Sequence, residues 1–310
     1  MSPKNNLSIR GTIPTPRPLR ILDGDNSQIC RDHSARPVGR DEFGRIWRHG
    51  ALSGAEMFQG SYQKYEFAHH FHSVPAIGVV EKGSMSCYCR GATHVLPSGT
   101  VLLLNPGEVH APGPAQSQEW TFRVFFFEDE MFRARSTDVA RNVLRFSKPF
   151  VEDRRLAATL LRLHRKLESH GSTLDLESSL LEVFKQLAGK HACVRMQTHH
   201  SGIEKIKIKR AKDYLHSYYG REITLNDLAA VAQSSPYHLL RIFRCSVGLT
   251  PHAYLIQIRI EEGKRLLRAG NPISDVSAST GFTDQSHFTR HFKRIMGVTP
   301  GQYLPQLKVG

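Results

Sequence analysis

The sequence predicts an α+β protein with two domains: a small antiparallel β-barrel followed by a helical pair, and then an all-α domain. Three observations support this prediction. Short apolar segments separated by Gly and Pro turns fill much of the first half of the chain, as in small antiparallel barrels and sandwiches. Leucines then recur at helical spacing, and near the C-terminus one helix-turn-helix pattern occurs twice at a constant offset of 49 residues.

Length and charge limit the possible classes of protein. The 310 residues suffice for two domains with their own cores, and the net charge is +14. The last 110 residues hold 16 of the 42 Lys and Arg but only 8 of the 28 Asp and Glu, so the positive excess is denser there. A basic surface attracts polyanions such as nucleic acid. Apolar runs are too short to span a bilayer and no apolar signal segment is visible, so we expect a cytoplasmic protein without membrane contact.

The residue composition and the pattern of apolar residues change several times along the chain. Residues 1–40 are rich in Pro, Arg, Asn and Asp and show no period, which indicates a flexible arm or lead-in. The predicted strands AIGVVE, SMSCYCR, THVLP, TVLLLN and WTFRVFFFE follow. We therefore assign 41–150 to the barrel, 151–190 to the helical pair, 191–202 to a linker and 203–305 to the all-α domain.

Two apolar stripes lie in the segment 151–190. Their members are Leu156, Leu160, Leu163 and Leu167, and then Leu176, Leu180, Phe184 and Leu187. This spacing predicts two antiparallel amphipathic helices. The helices either pack on their own barrel or form a seam with a second subunit, which would make the protein a homodimer.

The repeated pattern occupies residues 234–255 and 283–304, and Arg241 of the first copy matches Arg290 of the second. Recognition helices are predicted at 236–247 and 284–296. The apolar residues expected in the core of these helices and of the domain's first helix are Ile206, Ala211, Tyr214, Leu215, Leu239, Ile242, Phe243, Phe288, Phe292 and Ile295. A duplicated unit with basic residues on one face predicts two reading heads for one DNA duplex.

The side chains left outward on the two recognition helices are the candidates for DNA contact. They are Tyr237, His238, Arg241, Arg244, Gln285, Ser286, His287, Thr289, Arg290, Lys293 and Arg294. Arg binds guanine and Gln binds adenine in a bidentate manner in the major groove, whereas Ser, Thr and Lys often hold phosphates.

These residues resemble the DNA-binding domain of the AraC/XylS family of bacterial transcription regulators. The resemblance covers residues 203–303 and is most specific over 281–303, GFTDQSHFTRHFKRIMGVTPGQY. It implies a seven-helix module that contacts two grooves as a monomer, control of a promoter, contact with RNA polymerase, and activation rather than repression. Leu240 and Leu304 depart from the family pattern, which puts base reading by the first helix and one backbone contact in doubt.

The first domain resembles the cupin-type sensor of the same family. The resemblance lies in His69-His70-Phe71-His72, in VVEKG and in LLLNPGEVH. It implies a cupin-like barrel that holds a small-molecule effector. The candidate pocket residues are His70, His72, Glu81, His110, Trp120 and Phe122.

A metal-binding cupin enzyme fused to a DNA-tethering module is the alternative. His70, His72 and His110 with Glu81 could supply nitrogen and oxygen ligands to Fe, Mn or Zn. The acid lies nine residues after His72, however, where metal cupins place it about four residues on, so we expect no metal, no cofactor and no catalytic residue. The five scattered cysteines form no zinc motif, and no phosphate-binding Gly loop, GxSxG or HExxH is present.

The sequence therefore predicts a sequence-specific DNA-binding transcription regulator, controlled by a small molecule and acting as an activator. A DNA binder indifferent to sequence is a third possibility, against which the paired recognition helices argue.

Overall fold

The structure, a computed structural model, describes residues 42–52, 54–115, 119–128, 131, 145–168, 173–192 and 202–306. The predicted arm at 1–40 and most of the predicted linker at 191–202 lie outside the described residues. The strands within the described part are β1 Phe43–Trp47, β2 Ala55–Tyr62, β3 Ala76–Lys82, β4 Ser84–Cys89, β5 Ala92–Pro97, β6 Thr100–Leu104, β7 His110–Pro114, β8 Trp120–Phe127 and β9 Phe150–Glu152. A short 3-10 turn at Gly50–Leu52 joins β1 to β2.

The strands form two antiparallel sheets that face each other. The larger sheet has the order β1-β2-β8-β3-β6-β9 and the smaller β5-β4-β7. One apolar cluster contains side chains from both, such as Phe122 and Val124 from β8 with Met85 and Cys87 from β4. The prediction of a small antiparallel barrel or sandwich is confirmed, as two sheets and not as one hydrogen-bonded cylinder.

Four of the strands were not among the predicted segments, and β7 shows why. Its sequence HAPGP contains two prolines, which cannot donate a hydrogen bond to a neighbouring strand. Among the strands, β7 pairs only with β4, and it forms an edge of the smaller sheet, where proline is tolerated. The strand that carries His110 is thus formed by its place in the fold and not by local preference.

Two helices, α1 Arg154–Lys166 and α2 Thr173–Lys190, cover the outer face of the larger sheet. Both predicted apolar stripes are buried in one cluster with sheet residues such as Met57, Ile77 and Phe125. The stripes therefore pack on their own barrel. The side chains of both stripes are covered within the chain.

Seven helices follow between residues 202 and 306. They are α3 Gly202–Tyr218, α4 Leu225–Val231, α5 Pro236–Val247, α6 Pro251–Arg268, α7 Ile273–Ser279, α8 Gln285–Met296 and α9 Pro300–Gln306. The two recognition helices, α5 and α8, begin and end at positions separated by the same 49 residues as the sequence repeat. No helix of the described residues is long and apolar enough to cross a membrane.

The residues predicted for the core of the C-terminal domain are buried or half-buried, with one exception in α3. Ala211 and Leu215 are buried there, but Ile206 is 53% exposed and Ile208 is buried in its place. Positions 208, 211 and 215 follow the three- and four-residue spacing of one helix face, whereas position 206 lies about 200° around the helix from 208.

Local signals set the ends of the recognition helices. The Ser235 hydroxyl accepts a hydrogen bond from the His238 amide, and Asp284 does the same for the amide of His287. Each helix ends at a glycine in the left-handed conformation, Gly248 with φ of 80° and Gly297 with φ of 73°.

The two C-terminal glycines provide a matched pair for mutation. Alanine at either position would adopt an unfavourable positive φ, at a cost of about 1–2 kcal/mol. A Cβ at Gly297 would also lie 2.7 Å from the Tyr62 hydroxyl and 2.9 Å from the Phe67 ring, whereas at Gly248 the nearest atom is a Val109 carbon at 3.3 Å. We therefore expect Gly297→Ala to lower the free energy of unfolding by about 1 kcal/mol more than Gly248→Ala. Chemical denaturation followed by circular dichroism measures this difference, and equal losses would contradict the tight contact at Gly297.

Candidate functional site: recognition helices and an interdomain cavity

The first recognition helix, α5, presents a mixed polar face. Tyr237 is 79% exposed, and Arg241 and Arg244 are exposed as well. His238 is half-buried, with its Nδ1 3.4 Å from Nη2 of Arg241 and its Nε2 3.9 Å from a carboxylate oxygen of Glu204. The predicted DNA-contact residues of this helix are therefore accessible, while its apolar side is buried.

The second recognition helix, α8, is open at its N-terminal end and covered at its C-terminal end. Gln285, Ser286 and Arg290 are exposed, whereas the remaining predicted contact residues are half-buried: His287, Thr289, Lys293 and Arg294. The exposed end is the part of such a helix that commonly meets base edges.

The barrel docks on the C-terminal ends of both recognition helices. At α8, the Tyr65 hydroxyl donates to the carbonyl of Lys293 at 2.6 Å, and the Ala68 amide donates to the carbonyl of Arg294 at 3.1 Å. At the end of α5, Val109 of the barrel packs with the core of the first helix-turn-helix unit. The barrel thus contacts both helix-turn-helix units.

The connecting helix α6 is held by the barrel as well. The Gln257 amide donates to the Phe71 carbonyl at 2.9 Å, and the Phe71 ring stacks on Tyr254 with centroids 5.4 Å apart. Because α6 joins the two units, these contacts fix the barrel relative to the pair of recognition helices.

A buried carboxylate, which sequence reasoning missed, joins the two domains. Glu56 of β2 is 2% exposed, and it accepts hydrogen bonds from Arg268 of α6 and from the Tyr303 hydroxyl of α9. Nζ of Lys264 lies 3.5 Å from its Oε1, and Nε of Arg48 lies 3.6 Å from its Oε2. Burial raises the pKa of Glu56, but attraction to Lys264, Arg268 and Arg48 outweighs burial and lowers it to about 2.

A cavity lies between the two sheets and is closed by α8; we call it the interdomain cavity. Its volume is about 40 Å³, room for a few water molecules, so a small-molecule effector must move the lining side chains apart to enter. Its lining is Phe58, Phe67, His70, His72, Ala76, Leu102, Leu104, His110, Pro112, Phe122, Val124, Phe126, Ile295 and Met296. Apart from the three histidines, every lining side chain is apolar.

The predicted pocket residues divide between this cavity and other places. His70, His72, His110 and Phe122 line it, whereas Trp120 is buried beside it, stacked on Phe122. The lining residues that sequence reasoning missed include Ile295, which was expected only in the core of its helix, and Met296, for which no role was predicted.

Glu81 does not reach the cavity, which corrects its predicted place. On β3 the residues that face the smaller sheet alternate with those that face α1, and Glu81 falls on the side of α1. Its carboxylate accepts hydrogen bonds from Arg123 at 2.6 Å and from Arg165 at 2.7 Å. Glu81 thus ties α1 to the larger sheet and is not available to the histidines.

The three histidines converge in the cavity. The backbones of His70 and His110 exchange two hydrogen bonds, of 3.0 and 2.9 Å, and the ring centroids of the trio are 4.3, 4.9 and 5.1 Å apart. Burial lowers the pKa of all three, and for His110 it reaches about 4 despite the nearby Glu108. The imidazoles are therefore neutral at pH 7.

Two parts of the chain match known families of protein domains. A family model for an AraC-like ligand binding domain matches residues 54–184, and one for a helix-turn-helix domain matches residues 228–306. The uncharacterized HTH-type transcriptional regulator YbfI of Bacillus subtilis is 31% identical over 75% of this chain and 84% of its own length. The lactose operon transcription activator of Staphylococcus xylosus is 23% identical over 73% of this chain and 81% of its own length.

Among solved structures, ToxT from Vibrio cholerae aligns with 86% of this chain and 99% of its own, with 17% sequence identity and a TM-score of 0.48. The predicted fold class and family are confirmed by the matched domains and by the relative that covers most of the chain. The chain belongs to the AraC/XylS family of transcription regulators, with an AraC-like ligand-binding domain ahead of a double helix-turn-helix DNA-binding domain.

Proposed function

We propose that this regulator activates transcription at a promoter, and that a small molecule in the interdomain cavity controls its binding to DNA. One observation carries the proposal: Ile295 and Met296 of the second recognition helix line the same cavity as the barrel side chains. A molecule that enters by moving these side chains apart would contact the sensor and the second helix-turn-helix unit at once. No relay between distant sites is needed.

In the proposed complex, α5 and α8 enter successive major grooves on one face of the duplex, about 34 Å apart. The connecting helix α6 has 18 residues and is therefore about 27 Å long, which suits this spacing. The exposed side chains of Tyr237, Arg241, Gln285 and Arg290 support base reading, and the partly covered basic residues support phosphate contact.

The further partners are RNA polymerase, as the family implies, and a second copy of the chain. A homodimer would use a surface other than the leucine stripes, since these are buried on the larger sheet. We place this activity in the cytoplasm, where promoter DNA lies in a bacterial cell.

The chemistry of the cavity indicates the class of effector. A largely apolar molecule with one polar group suits a lining that is apolar except for His70, His72 and His110. Such a molecule changes DNA affinity only as far as it prefers one arrangement of barrel and recognition helices over another.

The test begins with DNA fragments selected from genomic DNA by the purified chain. Operator affinity is then measured with a panel of small apolar acids and alcohols, for wild type and for Ala76→Leu. Ala76 is buried and lines the cavity, so leucine fills part of the space that an effector would occupy. We expect at least one compound to shift the operator affinity of the wild type and to have no effect on the variant.

Thermal melting provides the control for this test. A compound that raises the melting temperature of the wild type but not that of Ala76→Leu occupies the cavity. If compounds that meet this criterion leave operator affinity unchanged, effector control through the cavity is contradicted. Equal responses of both proteins would show that the response arises elsewhere.

A further inference from the structure

Contrary to the expectation drawn from the spacing of Glu81, we propose that His70, His72 and His110 form a binding site for one divalent transition-metal ion of the zinc class. Each histidine offers a ring nitrogen, and the three nitrogens lie within 4.8 Å of one another. All three residues are buried. Three converging imidazoles are the ligand set that Zn²⁺ uses when it keeps a fourth position open.

Hydrogen bonds orient two of the rings for this role. Nδ1 of His70 is 2.8 Å from the carbonyl of Ala68, and Nδ1 of His110 is 3.0 Å from the carbonyl of Glu108. A carbonyl only accepts, so each Nδ1 carries the proton and each Nε2 keeps its lone pair. Metal-ligating histidines are fixed by this kind of bond from the other ring nitrogen.

The lone pairs have no other partner among the residues that the structure describes. Within that part of the chain, neither ring nitrogen of His72 forms a hydrogen bond. The same holds for Nε2 of His70 and for Nε2 of His110. A single cation at their centre would satisfy all three.

The surrounding charges fit a transition metal better than Ca²⁺ or Mg²⁺. Among the described residues no carboxylate completes the set: Glu81 is bound to arginines, and Glu108 accepts from Arg90 and from Asn105. The hard cations require oxygen ligands, whereas imidazole suits Zn²⁺, Cu²⁺, Ni²⁺ and Fe²⁺. The ammonium of Lys264 is paired with Glu56 at 3.5 Å, which reduces its repulsion of an ion.

The site also lies next to the contacts that hold the reading units. Phe71, between two of the ligands, stacks on Tyr254, and Val109, beside the third, packs against Gly248. An ion would therefore stiffen the part of the barrel that touches the first helix-turn-helix unit. This effect on DNA binding rests on the proposed function, whereas metal binding itself does not.

The test is a titration of the full chain without a polyhistidine tag, after removal of metals with a chelator. Zn²⁺ is followed by calorimetry, and Co²⁺ by the visible absorption of a tetrahedral ion. We expect one ion per chain with a dissociation constant of about 1 µM or less. His72→Ala and His110→Ala should each weaken binding by at least about 100-fold.

His69→Ala is the matched control, because His69 adjoins the cluster in sequence but packs on Tyr88 instead. It should bind metal as the wild type does, and circular dichroism shows whether each variant is folded. Should a His→Ala variant fail to fold, the Co²⁺ spectrum of the wild type tests the site by itself. Co²⁺ held by three ring nitrogens in a tetrahedral site has a visible absorption different from that of hydrated, octahedral Co²⁺. Equal binding by His69→Ala, His72→Ala and His110→Ala, or no saturable binding by the wild type, would overturn the proposal. Since no DNA is present, this result is separate from that of the operator measurements.

Discussion

The Glu56→Gln variant is expected to lose about 3–5 kcal/mol of the free energy of unfolding at pH 7. The substitution keeps the shape of the side chain but removes the negative charge that faces Lys264 and Arg268. The buried ammonium of Lys264 and the partly exposed guanidinium of Arg268 would then lack this counter-charge. Because Glu56 belongs to the barrel whereas Lys264 and Arg268 belong to α6, this substitution weakens the contact between the two domains.

This loss should depend on pH. The pKa of Glu56 is lowered from 4.5 to about 2, so its charge adds stability that is present above pH 4.5 and is lost as the pH falls toward 2. At the lowest pH of this range, the protonated and uncharged carboxyl group of Glu56 resembles the side chain of glutamine. The difference between wild type and Glu56→Gln should therefore be largest at neutral pH and should shrink toward pH 2.

Urea denaturation at several pH values measures both effects, and Glu182→Gln is the matched control. Glu182 also pairs with an arginine, at 3.1 Å from Arg155, but that pair is exposed on the surface. Exposed pairs contribute little, so the control should unfold close to the wild type. If Glu56→Gln were as stable as Glu182→Gln at pH 7, the charged junction would not hold the domains together.

The Arg290→Ala variant should bind its operator about 5- to 150-fold more weakly and lose discrimination at one position of the site. Arg290 is exposed on α8, where a guanidinium can bind guanine in a bidentate manner. Arg241→Ala should weaken binding at the other half of the site. We expect the smaller effect there, because the neighbouring Leu240 offers no hydrogen bond to a base.

Fluorescence anisotropy at fixed salt, with the operator and with an unrelated duplex, tests this prediction. Arg265→Ala removes the same charge from the exposed side of α6, where Arg265 pairs with Glu262 at 2.6 Å. It should change operator affinity little. Equal weakening on both duplexes by Arg290→Ala would indicate phosphate contact alone and would favour a DNA binder indifferent to sequence.

The parts of the fold that follow from local signals could be predicted to within a residue. The ends of α5 and α8 are set by Ser235, Asp284, Gly248 and Gly297, which act on their own helix turns. Within α3, the choice between Ile206 and Ile208 depends on which face meets the rest of the domain, and that is a tertiary matter.

The site depends on contacts between distant parts of the chain. The bond from Arg268 to Glu56 spans 212 positions, so nothing near Glu56 in the sequence indicates its partner. For Glu81 the difficulty was strand register, because one position along β3 moves a side chain to the opposite face. The histidines could be identified as a group, but only the backbone pairing of His70 with His110 brings their rings together.

In the proposed complex, each copy of the repeated unit reads its own groove of one duplex while the barrel contacts both units. A footprint of the full chain on its selected operator, at near-physiological salt, tests this most directly. We predict two protected segments on one face, about one helical turn apart, with Arg241→Ala weakening one and Arg290→Ala weakening the other. A single protected segment, or one that both variants weaken alike, would contradict the claim.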